Sequence, residues 1–166
     1  MKTRRFALGL GGNLENTAES ILFCIETLAG DNRLSHMKVA SLYETPPWGE
    51  VSGGNFFNTA VCGEWNGTDR ELLVLCRSIE VRAGSSVEKN GEARILDVDI
   101  LFLEDAVSSS SMTLPHPGMT SRRFVLVPLA EIWSSTVPGL GKTPAQLLQS
   151  VDDGSSVIFR GGLQVH

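Results

Sequence analysis

Asp97 and Asp99 are set into an otherwise apolar run, Ala93-Arg94-Ile95-Leu96-Asp97-Val98-Asp99-Ile100-Leu101-Phe102-Leu103. In an extended chain the side chains alternate, so Ile95, Asp97, Asp99 and Leu101 share one face, opposite Leu96, Val98 and Ile100. Burying unpaired carboxylates is costly, so the acidic face is either wet or covered by something cationic. Two carboxylates on one face suit a pair of Mg²⁺ ions, hard cations that take carboxylate and phosphate oxygens together. The plainer alternative is the polar outer face of an edge strand. Against it, Ile95 and Leu101 frame the acids with apolar side chains.

His116 lies between Pro115 and Pro117, which restrict its backbone. A lone histidine is more often structural than catalytic, but Arg122 and Arg123 follow closely. Two guanidiniums in a loop can fork onto phosphate oxygens; the alternative is that both are simply solvated. In Phe56-Phe57-Asn58, a core role for Phe57 turns Phe56 and Asn58 together onto the other face. A ring beside an amide suits a flat heterocycle with donor and acceptor edges.

Two glycine-rich stretches imitate nucleotide-binding motifs. Gly9-Leu10-Gly11-Gly12-Asn13 lacks the third glycine of a dinucleotide fingerprint, where Leu14 stands, and reads as a tight turn. Gly139-Leu140-Gly141-Lys142-Thr143 resembles the end of a P-loop, but Thr136 occupies its first glycine position and no strand precedes it.

The elements that must position these residues are legible in outline. Residues 4–10 read as a buried strand, followed by a helix whose apolar stripe is Ile21, Leu22, Ile25, Leu28 and Ala29, with Asn16 or Thr17 to cap it and Gly30 to end it. Alternation over Lys38–Thr45 predicts one strand stopped by Pro46-Pro47, and Trp48–Asn55 a loop. Phe56–Trp65 reads as a strand. Thr68 and Glu71 have capping-box spacing before the stripe Leu72, Leu75, Cys76 and Ile79. Ser85–Ala93 reads as a polar, mobile loop, Val107–Ser111 as a serine-rich loop, and Leu114–Gly118 as a rigid turn. Phe124–Ile132 is apolar, and Pro144–Leu148 has proline at a helix start. Strand, helix, strand, strand, helix, strand over residues 4–103 is the order of a ferredoxin-like α+β sandwich, here with a C-terminal extension.

The 166 residues fit one domain, with no internal repeat. A net charge of −5 and a pI near 5.2 argue against nucleic acid as partner and favour small molecules. Cys24, Cys62 and Cys76 are odd in number and lie in apolar or periodic segments, as reduced core thiols would. The basic N-terminus meets its apolar stretch only as far as Gly11-Gly12-Asn13, too short for a signal peptide, and no run approaches membrane-spanning length. A cytoplasmic monomer is expected.

Five ordered blocks carry a family resemblance: Gly9-Leu10-Gly11-Gly12-Asn13-Leu14, Tyr43-Glu44-Thr45-Pro46-Pro47-Trp48-Gly49, Asn55-Phe56-Phe57-Asn58, Arg94–Leu101, and Pro115-His116-Pro117 with Arg122-Arg123-Phe124. Together they resemble the 6-hydroxymethyl-7,8-dihydropterin pyrophosphokinases of folate biosynthesis. That resemblance implies a ferredoxin-like fold and Mg²⁺-dependent transfer of pyrophosphate from ATP to a pterin alcohol, releasing AMP. It implies that Asp97 and Asp99 bind two Mg²⁺ ions and that Arg94 and Arg122 assist catalysis. The pterin would lie between Phe56 and Phe124, read by Asn58 and by Thr45, Pro46, Pro47 and Trp48. ATP would meet Glu80, Lys89, Arg94, Ile100, Thr113, His116 and Arg122.

The chain departs from the family pattern at several points. Ser85–Ala93 is shorter than the family's basic loop, has no tryptophan, and offers Lys89 as its only cation. Ser111 stands at an arginine position, Gly12 at a serine position, and Phe56 at a tyrosine position. Fewer cations around a triphosphate imply weaker ATP binding or slower loop closure. The alternatives are therefore a non-catalytic or weakly active family member that binds pterin or nucleotide, and a ferredoxin-like module for an unrelated small ligand.

Overall fold

The computed structural model describes residues 2–47, 54–85, 93–106 and 108–163. Its centre is strand β1 (Arg4–Gly12). β1 pairs antiparallel on one side with β4 (Phe56–Trp65), from Arg4 opposite Trp65 to Gly12 opposite Phe57, and on the other with β5 (Asp97–Leu103). β2 (Leu34–Val39) and β3 (Leu42–Thr45) lie along the far edge of β4, and β6 (Ile158–Gly161) adds beyond β3. The order β5-β1-β4-β3-β6, antiparallel throughout, gives the expected α+β sheet with helices packed on it.

Side-chain alternation along β1 divides the molecule into two cores. Phe6, Leu8 and Leu10 face α1 (Thr17–Ala29) and α2 (Asp69–Arg82), meeting Ile21, Ile25, Leu28, Leu72 and Ile79. Ala7 faces the other way, toward α3 (Arg123–Ile132) and α4 (Pro144–Leu148), where Ala60, Cys62, Phe102, Leu126 and Leu129 pack. Phe102 meets Trp133 edge-on at 4.8 Å between ring centroids. The α3/α4 layer covers only part of its sheet face, and the site lies on the rest.

Several boundaries fall where local chemistry puts them. β4 spans its expected residues, the Thr68–Glu71 capping box opens α2, and Thr143 with Gln146 forms a second box at α4. The P-loop imitation is the turn into α4, with Gly139 and Gly141 at positive φ and Thr143 as its cap. The three cysteines are free and buried. Among the described residues, no helix is long and apolar enough to cross a membrane.

Other expectations need correction. The strand expected over Lys38–Thr45 is two strands, because α3 intervenes. The backbone N–H and hydroxyl of Ser41 donate to the Glu131 carboxylate, as does the Tyr43 hydroxyl at 2.7 Å, which diverts Ser41 from the β4 ladder. Burial, then the bond to Glu131, pushes the Tyr43 hydroxyl up to about 12. β1 does not stop at Leu10 but runs on to Gly12, so its glycines belong to a strand rather than a turn. β5 starts at Asp97, so Ile95 escapes the alternation and packs with the α1/α2 core instead of framing the acids. Its carbonyl accepts from the Thr17 hydroxyl, and the Ser85 hydroxyl holds both backbone groups of Leu96, which fixes an irregular approach to the strand. The apolar stretch 124–132 is helical, and the polar stretch after α4 adds a further strand, β6, on β3.

Replacing Thr68 by alanine removes one half of the α2 capping box. Urea unfolding is expected to show a loss of about 1 kcal/mol.

Candidate active site

The floor of the site is β1 itself. Gly9 lies between Ala60 of β4 and Asp99 of β5, and Gly11 between Asn58 and Asp97. All of these face the α3 side, at the margin of its packing, where Phe124 and Val125 of α3 border them. Two residues without side chains at the middle of the sheet leave a hollow flanked by an amide on one strand and two carboxylates on the other. A Cβ at Gly11 would stand 2.5 Å from the Asn58 Oδ1. The hollow measures about 610 Å³, and its lining includes Thr45, Pro46, Phe56, Asn58, Asp97, Asp99, Arg122 and Phe124. Asn58 is buried and its Nδ2 donates to the Thr45 hydroxyl at 3.2 Å. Phe56 enters from β4 and Phe124 from the first turn of α3, with the Arg122 guanidinium 5.9 Å from the Phe124 ring centroid.

A second cavity of about 230 Å³ opens on the α2 side of β5, lined by Leu73, Arg77, Val98, Asp99, Ile100, Ser111, Met112, Thr113, His116 and Pro117. Asp99 and His116 line both cavities, so the two meet there. The His116 backbone N–H donates to the Leu101 carbonyl at 2.7 Å, docking the turn on β5. Its Nδ1 accepts from the Gly118 N–H at 3.1 Å, which places the proton of the neutral ring on Nε2.

Asp97 pairs with Arg94, Nε to Oδ1 at 2.9 Å. Arg94 is itself buried and precedes β5. Its backbone is clamped to the β1–α1 turn: its N–H donates to the Asn13 Oδ1 at 2.8 Å, and its carbonyl accepts the Asn13 N–H at 2.9 Å. The Asn13 carbonyl in turn accepts from the Gly54 N–H. One buried asparagine thus fixes where the chain re-enters the site from both flanking segments. Glu80, buried beneath β5, accepts the N–H of Val98 at 2.8 Å and an Arg77 Nη1 donor at 2.9 Å. The bond to Val98 fixes the backbone between the two aspartates.

Of the residues singled out in the sequence, Thr45, Pro46, Phe56, Asn58, Phe124, Asp97, Asp99 and Arg122 gather in the larger cavity, and Ile100, Thr113 and His116 in the smaller. Pro47 is exposed beside Pro46, outside the lining. Glu80 and Arg94 stand behind the lining and hold residues that form it. Trp48 and Lys89 lie outside the described residues. Asp97 and Asp99 are the candidates to hold a hard cation; among the described residues no group of three or more His, Cys, Asp or Glu side chains gathers around one. Such a pair leaves most of a cation's shell to water and ligand oxygens.

Sequence reasoning missed Gly9, Gly11, Arg77, Asp153 and Ser155. Asp153 and Ser155 wall the larger cavity from the segment leading into β6. Asp153 accepts the Arg123 N–H at 3.0 Å at the start of α3, and both the N–H and hydroxyl of Ser155. Burial alone would raise its carboxyl, but the bonds from Ser155 and Arg123 outweigh that and hold it below the usual range.

The family model for 7,8-dihydro-6-hydroxymethylpterin-pyrophosphokinase (HPPK) matches residues 7–134, which carry nearly all of this site. The chain belongs to the HPPK family. A 2-amino-4-hydroxy-6-hydroxymethyldihydropteridine pyrophosphokinase of Methylorubrum extorquens is 38% identical over 149 residues, covering 89% of this chain and 94% of that one. The enzyme of the same name from Aquifex aeolicus is 30% identical, covering 82% and 85%. Among solved structures, the Plasmodium falciparum HPPK-DHPS crystal structure with pteroate shares the fold at a TM-score of 0.64 and 16% identity. The match covers 89% of this chain and 44% of that larger one. Asp153 and Ser155 lie beyond the stretch that the HPPK model matches.

Two outcomes follow from this geometry. Gly11→Val places a side chain between Asn58 and Asp97 and is expected to cost about 1–3 kcal/mol and to block ligand entry to the larger cavity, read by unfolding and by ligand titration. For Asp153, a lowered folded pKa means stabilisation that is present above the unfolded value of about 3.9 and lost as pH falls through the folded one. The advantage of wild type over Asp153→Asn should therefore be constant above about pH 5 and fade below about pH 4 in urea titrations.

Proposed function

We propose that this chain transfers pyrophosphate from ATP to the hydroxymethyl group of 6-hydroxymethyl-7,8-dihydropterin, releasing AMP. The observation that carries the reading is the junction of two cavities at Asp99 and His116. A two-substrate transfer needs two binding spaces that meet where the bond is exchanged. The larger cavity, with its two phenylalanines and buried amide, suits a flat heterocycle; the smaller suits the nucleotide.

In this reading the pterin lies between Phe56 and Phe124, with Asn58 reading its polar edge and Thr45 fixing the amide's orientation. Its hydroxymethyl oxygen points toward Asp97 and Asp99 and attacks the β-phosphorus of ATP, expelling AMP. Ile100, Thr113 and His116 contact ATP, His116 through the proton on Nε2. Arg122 and Arg94 supply positive charge near the transferring group, Arg94 by way of its pair with Asp97. Pro46, Pro47 and Trp48 border the pterin, and Lys89 the nucleotide.

Asp97 and Asp99 would hold Mg²⁺, which neutralises phosphate charge when bound. The fit is chemical: both groups are oxygen donors on one strand face at the cavity junction, with room for water and phosphate oxygens. The rest of the work is positioning, and no side chain is assigned as general base. The chain acts in this reading as a single-domain monomer in a reducing compartment, which its three free thiols suit.

The test is incubation of the protein with ATP, Mg²⁺ and the reduced pterin, followed by measurement of AMP. Tight pterin binding without AMP above background would favour a non-catalytic family member instead. Asp97→Ala and Asp99→Ala are each expected to lower kcat/KM by about 10²-fold or more with the fold retained. Near-normal turnover in either would refute the metal assignment.

A further inference from the structure

The smaller cavity contains a cation that none of the motif blocks carries. Arg77 lines it from α2, together with Asp99 and His116. Its side chain is 49% exposed, whereas the Glu80 carboxylate it pairs with is 5% exposed. In sequence the two sit three residues apart on one helix and read as an ordinary surface pair, a type that contributes little.

The structure makes the pair something else. Among the described residues, Glu80 Oε1 accepts the N–H of Val98 in β5, and Oε2 accepts from Arg77. Glu80 is thus anchored to the strand that carries Asp97 and Asp99, and it holds the Arg77 guanidinium against that strand. Burial works against the charge on Arg77, but the Glu80 hydrogen bond, the charge of Glu80 and that of Asp99 together hold its pKa above the ordinary value. Arg77 and Asp99 line the same cavity. A guanidinium has five donors, and the bond to Glu80 uses the Nη1 end only.

We infer that Arg77 is a binding residue for the polyphosphate of the nucleotide, aimed into the smaller cavity by Glu80, which acts as a positioning residue. The cation stands on the helix, beside the strand that carries the carboxylates. It offers positive charge independently of the segment 85–93, in which Lys89 is the one cation. This inference rests on the nucleotide occupying the smaller cavity, as proposed above.

The experiment is displacement of a fluorescent ATP analogue from wild type, Arg77→Gln and Arg77→Lys by three competitors: ATP, inorganic tripolyphosphate and adenosine. Loss of one charge-assisted hydrogen bond is expected to weaken ATP and tripolyphosphate about tenfold or more in Arg77→Gln, with adenosine unchanged and Arg77→Lys recovering most of the loss. Tripolyphosphate affinity equal to wild type in Arg77→Gln overturns the inference, whatever happens to thermal stability. So does a parallel loss for adenosine, which would assign Arg77 to the nucleoside. The wild-type AMP assay is read separately: absence of AMP with a selective tripolyphosphate loss in Arg77→Gln sinks the transfer reaction and supports the anion role of Arg77.

Discussion

A bare strand at the middle of the sheet is the constraint from which the rest follows. Glycine in a strand weakens it by entropy and offers no side chain to pack. β1 tolerates Gly9, Gly11 and Gly12 because it is paired on both sides, to β4 and β5, while Phe6, Leu8 and Leu10 anchor its other face in the α1/α2 core. The space left by the missing side chains is bounded by whatever the neighbouring strands present at the same level. Here those groups are Asn58, Asp97 and Asp99.

Because the floor is backbone, the walls must be held from elsewhere, and polar groups do this, Asn13 and Glu80 buried, Asp153 half-buried and Glu131 exposed. Asn13 joins the β1–α1 turn to Arg94 and Gly54. Glu80 joins α2 to β5, Glu131 joins α3 to Ser41 and Tyr43, and Asp153 joins the final segment to the start of α3. Each is a carboxylate or amide accepting backbone or side-chain donors across long sequence separations. Where the group is buried, as at Asn13 and Glu80, removing a partner leaves one that has given up water without full compensation.

Local patterns were readable where local forces decide. The β4 boundaries, the Thr68 capping box, the proline start of α4 and the shared face of Asp97 and Asp99 depend on neighbours in sequence, and the structure agrees with each. The interruption of the second strand depends on Glu131, distant in the chain, so alternation over Lys38–Thr45 carried no sign of it. Gly11 and Gly12 read as turn residues because a glycine's usual meaning is a turn; only pairing on both sides reveals another. Arg77 was hidden by its spacing from Glu80, which looks the same on any solvated helix. Asp153 and β6 lie in a polar stretch whose order comes from α3 and β3.

Asp99 and His116 are a party wall between the two cavities. A wall shared by two occupants cannot answer one without altering what the other meets. If the first arrival turns the imidazole or draws the carboxylate toward itself, the second finds a changed surface, and by thermodynamic reciprocity each ligand alters the other's affinity by the same factor. Where each cavity takes a ligand, order of arrival then changes the path but not the total, and the shared pair of side chains is the place through which each ligand meets the other.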